Sequence, residues 1–374
     1  MSVLLIILGL LLFVGLVVAH EFGHFLVARR NGVDVEEFGI GFPPRAWGKK
    51  LKNGVLLTIN FLPLGGFVKL KGEHDEDKEK GSYGAASLKN KSKILMAGVG
   101  MNLLVAFVLL TVLAWVGTPE IVENQFKVAS DNRVARQEIL VATVEDGSPA
   151  ANAGLTERDQ IVSFTGGGRV YIAVSADGLP DITKQLAGQK VEVTYKRAGE
   201  EKVATVQLRS SEEVEASKKT DNPKGYLGIS PTEYVVTKAT WSAPIQAIGE
   251  MVQITALTVA GIGHALGALL SGNTGEASAQ VAGPVGIFVL IKDGSLLGYQ
   301  FVLLIVALIS LTLAIMNALP IPALDGGRLF VTWLFRGLRK PLHKKTEDLI
   351  HGTGFALLMV LFVLITVVDV RRFF

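Results

Sequence analysis

Val17-Val18-Ala19-His20-Glu21-Phe22-Gly23-His24 closes an apolar run in which no charged residue occurs from Ser2 to Ala19. A run of that length can cross a bilayer as a helix. On a helix, positions i and i+4 share a face, so His20 and His24 can offer two imidazole nitrogens to one metal ion. Glu21 stands beside them, where a carboxylate can take a proton from a water at that ion. Ionisable groups inside an apolar span are costly and point to function. The competing reading is a helix end whose polar residues lie among lipid headgroups.

The rest of the composition fits a span. Of 374 residues, 49% are hydrophobic and 19% charged, and the mean hydropathy is +0.41, the profile of a polytopic membrane protein. A net charge of +3 without a basic stripe interleaved with aromatics argues against nucleic acid as a partner. With no cysteine, any metal must be held by histidine and carboxylate. The N-terminal run lacks a basic leader and a small-residue cleavage site, so it is expected to be retained as a span.

A carboxylate to complete a metal site is offered far downstream, in Asn317-Ala318-Leu319-Pro320-Ile321-Pro322-Ala323-Leu324-Asp325-Gly326-Gly327. Two prolines two residues apart cannot continue a regular helix, so the backbone must unwind. Irregular backbone at membrane depth is tolerated only where it is buried or faces a water-filled cavity. Asp325 in such a segment suits a third ligand. Taken alone, the same residues read as an ordinary loop.

Between these segments the chain divides into 1–117, an N-terminal membrane half; 118–236, a soluble α+β insert; 237–296, an amphipathic linker; and 297–374, a C-terminal membrane half. Spans are expected at the N-terminus, at Ile94 to Val116, at about Leu297 to Leu319, and at Gly354 to Val368. Asn102, a polar residue in the second of them, needs a partner and can support the site. The runs 55–61 and 67–70 around Leu62-Pro63-Leu64-Gly65-Gly66 predict a β-hairpin. It is either a small sheet outside the membrane or one dipping toward it, with an edge able to pair with an extended substrate.

Trp241 to Leu270 is apolar enough to span but carries Gln246, Glu250, Gln253 and His264. If it lies on the surface, the Lys/Arg-rich loops 29–93 and 326–345 fall on one side, as the positive-inside rule prefers. His24 also lies only roughly 9 Å of helix rise from Arg30, near that basic face. The segment is therefore expected to be interfacial. Arg371-Arg372 after the last span counts against this topology, and His264 reads as a plain surface histidine.

In the insert, Ser148-Pro149-Ala150-Ala151-Asn152-Ala153-Gly154-Leu155 followed by Asp159-Gln160-Ile161-Val162 resembles a bacterial PDZ domain, with Arg158 where a glycine usually stands. Tyr226-Leu227-Gly228 looks like the loop that binds a peptide carboxylate. The alternative is a domain that only filters access by bulk.

Together, His20-Glu21-Phe22-Gly23-His24, the Asn317-to-Gly326 run and the PDZ-like insert resemble the site-2 protease family. The similarity is greatest to the bacterial metalloproteases of regulated intramembrane proteolysis that are like the regulator-of-sigma-E protease. Pro63-Leu64-Gly65-Gly66-Phe67-Val68-Lys69-Leu70 and Gly283-Pro284-Val285-Gly286 agree as well. Where the family commonly has Pro after Ala-Gly in the second span, this chain has Val99, and it has room for one PDZ domain where some members carry two. The resemblance implies zinc on His20, His24 and Asp325, with Glu21 as general base. It further implies substrate contacts along Asn317, Pro320 and Pro322 and along the hairpin at Phe61, Gly65 and Gly66.

The expected fold is thus a polytopic α-helical membrane protein with four transmembrane helices, a membrane-associated β-hairpin and one inserted PDZ domain. The expected activity is zinc-dependent cleavage within transmembrane segments of single-pass membrane proteins, such as an anti-sigma factor or remnant signal peptides. By resemblance the location is the bacterial inner membrane, with the insert outside and the site near the cytoplasmic face. The rival readings are a non-catalytic PDZ-bearing scaffold and a metal transporter. An intact Glu21 speaks against the first, and the scarcity of intramembrane carboxylates against the second.

Overall fold

The computed structural model describes residues 2–220, 222–273, 275 and 282–374. They form two compact units, one of residues 1–116, 125–128 and 240–374 and the other of 117–124 and 129–239.

The first unit begins with helix α1 (Ser2–Arg30), which runs unbroken through the His-Glu-x-x-His stretch and ends on Arg29-Arg30. Cations there complement the negative end of the helix dipole. Strands β1 (Val35–Lys50) and β2 (Leu56–Leu70) follow and pair with each other. The expected pairing of 55–61 with 67–70 is not the one that forms. Phe38 lies opposite both Val68 and Leu57, and Gly39 opposite both Phe67 and Thr58, so the first part of β1 sits between the two arms of β2. The second part of β1 pairs outward, with Trp47 opposite Ile59 and Lys50 opposite Leu56. The reason is apolar: Val35, Phe38, Val55 and Leu70 bury together with Ala28, Tyr83, Ile94 and Leu95, which places β1 in the middle. Helix α2 (Leu88–Val116) then packs on α1.

The second unit is an antiparallel sheet with short helices. Its elements are β3 (Thr118–Pro119), β4 (Arg133–Val144), α3 (Pro149–Asn152), β5 (Gln160–Gly166), β6 (Arg169–Ile172), α4 (Leu179–Gln185), β7 (Lys190–Arg197), β8 (Glu200–Gln207), α5 (Ser211–Ser217) and β9 (Ile229–Lys238). The strand order is β3-β9-β4-β5-β7-β8, with β6 paired to β5. Ile139, Val141, Ile161, Phe164, Val191, Val193 and Val206 alternate inward and bury a common core. The Ser148 hydroxyl caps α3 by accepting from Ala151 N–H at 3.1 Å. Arg158 takes φ 69°, a left-handed conformation that a glycine adopts more easily. The Asp159 carboxylate next to it accepts from both Nε and NH2 of Arg197 at 2.7 Å.

The first unit resumes with α6 (Ala243–Leu270), α7 (Pro284–Gly294), α8 (Tyr299–Ala318), α9 (Asp325–Gly337) and α10 (Lys344–Phe373). Among the described residues, α1, α2, α6, α8 and α10 are long and apolar enough to cross a membrane. Their exposed leucines, valines and phenylalanines, such as Leu11, Leu257 and Leu364, suit contact with lipid rather than water. Helix α8 runs against α2, where Leu304 and Ala307 bury with Leu110, Leu113 and Ala247. Lower down, the Ser310 hydroxyl donates to Asn102 O at 2.8 Å. The buried Asp369 carboxylate of α10 accepts from the N–H groups of Gly283 and Gly286 at 2.9 and 2.7 Å. It thereby caps α7, which has no cap of its own.

Candidate metal centre

Three elements bring the donors together. Helix α1 carries His20 and His24 one turn apart, and α9 begins on Asp325. Between α8 and α9 the chain is unwound, as the two prolines require, and Ala323 takes φ 80°. Part of the freed backbone is satisfied by α10, where His351 Nδ1 accepts from Ala323 N–H at 3.2 Å. Gly326 and Gly327 press against the carbonyls of Ala318, Leu319 and Ile321, leaving no space for a Cβ. This close seating turns Asp325 toward the histidines.

The result is a small triangle. His20 Nε2 and His24 Nε2 are 3.3 Å apart, and Asp325 Oδ2 lies 3.2 Å from the first and 3.1 Å from the second. Ligand atoms around a tetrahedral zinc are separated by roughly 3.3 Å, so the donor set has the spacing such an ion needs. Protons alone do not satisfy it. If both imidazoles donate to Oδ2, two N–H groups meet across the remaining edge; a cation at the centre satisfies all three atoms at once. Among the described residues, this is the group of histidine and carboxylate side chains that converges closely enough to hold a metal.

Neighbours fix the rings. His24 Nδ1 lies 2.8 Å from Ile94 O, to which it donates, so its Nε2 lone pair faces the triangle. Asn102 is fully buried, with its amide 3.2 Å from His20 Nδ1. With Nδ2 toward the ring, its Oδ1 is buried and unbonded. The flipped amide accepts from His20 Nδ1–H instead, and again frees Nε2. Gly98 lies beneath both rings, where a Cβ would come within 2.7 Å of His20 Nε2.

Glu21 stands within electrostatic reach of His20, His24 and Asp325 and accepts a hydrogen bond from the Val68 backbone. A Cβ on Gly66 would lie 3.4 Å from its Cγ. The last arm of β2 therefore runs directly past Glu21, with β1 on its other side.

The remaining expected residues are spread more widely. Asn317 is half-buried in the last turn of α8, Pro320 and Pro322 lie in the unwound segment, and Phe61 is 68% exposed on β2. Gly65 takes φ 108°, a conformation that favours glycine. Tyr226, Leu227 and Gly228 belong to the second unit. His264 is exposed and outside the donor group. Residue-type reasoning did not single out Gly98, the Ile94 carbonyl or the Val68 N–H. Only the glycine left a trace, in Ala97-Gly98-Val99-Gly100.

Comparison with known proteins agrees with this geometry. The sequence model of peptidase family M50 matches residues 8–361. A protein of Clostridium perfringens, named provisionally as a zinc metalloprotease, is 31% identical over 370 residues, covering 98% of each chain. One of Clostridium acetobutylicum with the same provisional name is 32% identical over 380 residues, covering 99% of this chain and 98% of the relative. One of Enterococcus faecalis, named provisionally as a protease, is 27% identical over 454 residues and covered to 99% on both sides. With a match across nearly its whole length, and a two-histidine, one-carboxylate cluster at its centre, the chain belongs to peptidase family M50, the site-2 protease family.

Proposed function

We propose that this protein is an intramembrane zinc endopeptidase that cuts the transmembrane segments of single-pass membrane proteins. The observation that carries the reading is the triangle of His20, His24 and Asp325. Its members come from segments 301 residues apart and meet inside a bundle of apolar helices. His20, His24 and Asp325 would hold the zinc, leaving one position open, the arrangement of a catalytic rather than a structural site. When bound, the ion supplies a Lewis acid that polarises a peptide carbonyl and acidifies water. Glu21 takes the proton from the attacking water and later delivers it to the leaving amine. The Val68 N–H orients that carboxylate, and the Ile94 carbonyl and Asn102 orient the two rings.

A substrate helix must unwind before its carbonyls can be reached, which exposes backbone groups that are expensive to leave unbonded in lipid. The β2 arm from Gly66 to Leu70 is flanked by β1 on one side and passes Glu21, so an extended substrate can add there as a further strand. Phe61, Gly65, Asn317, Pro320 and Pro322 would line its approach.

The second unit supports the reading as a PDZ domain through its Tyr226-Leu227-Gly228 loop. The carbonyls of Tyr226, Leu227 and Gly228 accept from the N–H groups of Arg209, Ala150 and Glu145 at 3.0–3.1 Å. Arg209 also ties Gly225 O to the Glu145 carboxylate at 2.8 Å. With its carbonyls engaged inward, the loop has amides that bond no other group among the described residues, which suits them to a peptide carboxylate.

Four spans rather than five are favoured by parity. Trp115 Nε1, at the end of α2, donates to Thr240 O at 2.9 Å just before α6. Ile291 of α7 packs on Gly9 of α1, and Gly283 bonds Asp369, roughly 33 Å of helix rise from Glu347 at the other end of α10. Both ends of 240–283 thus lie on the face away from the metal cluster. If α6 crossed, about twelve residues would remain for the return, too few for a second helix. Lying along the interface satisfies these contacts, with the metal cluster toward the Lys/Arg-rich, cytoplasmic face of the inner membrane.

Co-expression with candidate single-pass proteins tests the function. Glu21→Gln is expected to abolish fragment formation while zinc content stays at one ion per chain. Unchanged cleavage, or transport of zinc without cleavage, would overturn it.

A further inference from the structure

Away from the metal centre, a cavity of about 520 Å³ opens between the loop at 75–78 and the end of α9. Lys78, Arg336, Arg339 and Lys340 line it, against the carboxylates of Asp75 and Glu76. Two carboxylates thus stand against four cations. Asp75 is ion-paired with the fully buried Lys91, and Glu76 faces His343 Nδ1 at 3.3 Å. Lys78 donates to a backbone carbonyl, that of Asp75 at 3.0 Å, and so keeps its charge unbalanced. Arg336 comes no nearer to Asp75 than 4.0 Å. Arg339 and Lys340 have no ion-pair partner among the described residues. The cavity is concave, large enough for a headgroup and net positive.

Guanidinium forks matched with a lysine charge recognise phosphate oxygens bidentately, whereas a carboxylate would leave part of the set unused. The surroundings show where such a phosphate comes from. Phe330, Trp333 and Leu334 on α9 and Leu338 just after it are 43–57% exposed, on the same short segment that carries Arg336 and Arg339. Exposed Trp and aliphatic side chains beside arginines mark a helix lying at the headgroup level of a bilayer. We infer that this cavity is a binding site for the phosphate headgroup of an anionic phospholipid, with the acyl chains against the apolar face of α9. The site does not depend on the catalytic reading.

The test is native mass spectrometry of the full-length protein titrated with phosphatidylglycerol, with phosphatidylcholine, and with phosphatidylglycerol plus excess glycerol 3-phosphate. Phosphatidylglycerol is expected to be retained in preference to phosphatidylcholine and not to be displaced by the soluble phosphate. Arg336→Gln, Arg339→Gln and Lys340→Gln together are expected to weaken retention by on the order of a hundredfold, roughly fivefold per charge. All three positions are exposed, so zinc content and thermal midpoint serve as controls for folding. Arg339→Glu alone gives a second, milder variant that is expected to weaken retention in the same direction. Equal retention of the two lipids, or wild-type retention by the triple variant, overturns the site. Displacement by glycerol 3-phosphate overturns the lipid as its occupant.

Discussion

Gly98 illustrates how little space surrounds the cluster of His20, His24 and Asp325. A methyl group there would press on His20 and His24, whereas one on Gly100 meets nothing within 4 Å. Gly98→Ala is therefore expected to lose bound zinc and cleavage together, and Gly100→Ala to keep both, as metal analysis and a fragment assay would show. Asn102 acts at one remove, through His20 Nδ1. Asn102→Ala is expected to weaken zinc affinity about 10–100-fold, and Asn102→Asp, which keeps an acceptor, to weaken it less. Competition with a chelator of known affinity measures both. The pairing of His20 with His24 was legible in the sequence because the i, i+4 spacing is a local property of a helix. Gly98 was not, because its role depends on which helix packs over it.

At the level of elements, β2 reaches Glu21 through the backbone of Val68. Val68→Pro removes the donor to Glu21 and roughens the edge of the arm. Hydrogen bonds to charged groups are worth enough that cleavage should fall at least about tenfold with zinc retained. Loss of zinc in this variant would instead assign Val68 to holding α1 in place. In the second unit, the Arg209 guanidinium holds the Glu145 carboxyl below the usual carboxylate range. A lowered folded pKa stabilises above the ordinary carboxylate pKa, and this stabilisation is lost as pH falls through the lowered value. Protection of the Glu145, Ala150 and Arg209 amides that bond the loop carbonyls, taken relative to their intrinsic exchange rates, is accordingly expected to fall under acid conditions, and Arg209→Gln to show the lower protection already at neutral pH. The sequence foresaw the arms of β2 but paired them with each other. Val35–Lys50 was not read as a strand because Pro43-Pro44 interrupts its alternation and demotes it.

For the whole molecule, the number of crossings sets which side of the membrane each loop faces. The absence of cysteine makes single-cysteine labelling clean. Leu270→Cys at the end of α6 and Lys218→Cys in the second unit are expected to react with a membrane-impermeant maleimide from the same side. Protection of the first from that side, with labelling from the other, would make α6 a fifth span and move the basic loop that follows α9 across the membrane.

Composition and hydropathy pointed to a polytopic membrane protein, and the His20–His24 spacing to a metal site, since apolar run length and i, i+4 spacing are carried by neighbouring residues; the site-2 protease reading came from the resemblance of its motifs to that family. The convergence of Asp325 on the histidine pair was suggested by the chain but decided by packing: glycines that let α9 seat on an unwound segment, and α8 lying along α2. The order of the β1–β2 sheet, the contacts of Ile94, Gly98 and Val68 with His24, both imidazoles and Glu21 respectively, and the basic cavity beside α9 were decided by tertiary structure alone. Each depends on contacts between residues far apart in the sequence, whose meeting no local pattern records.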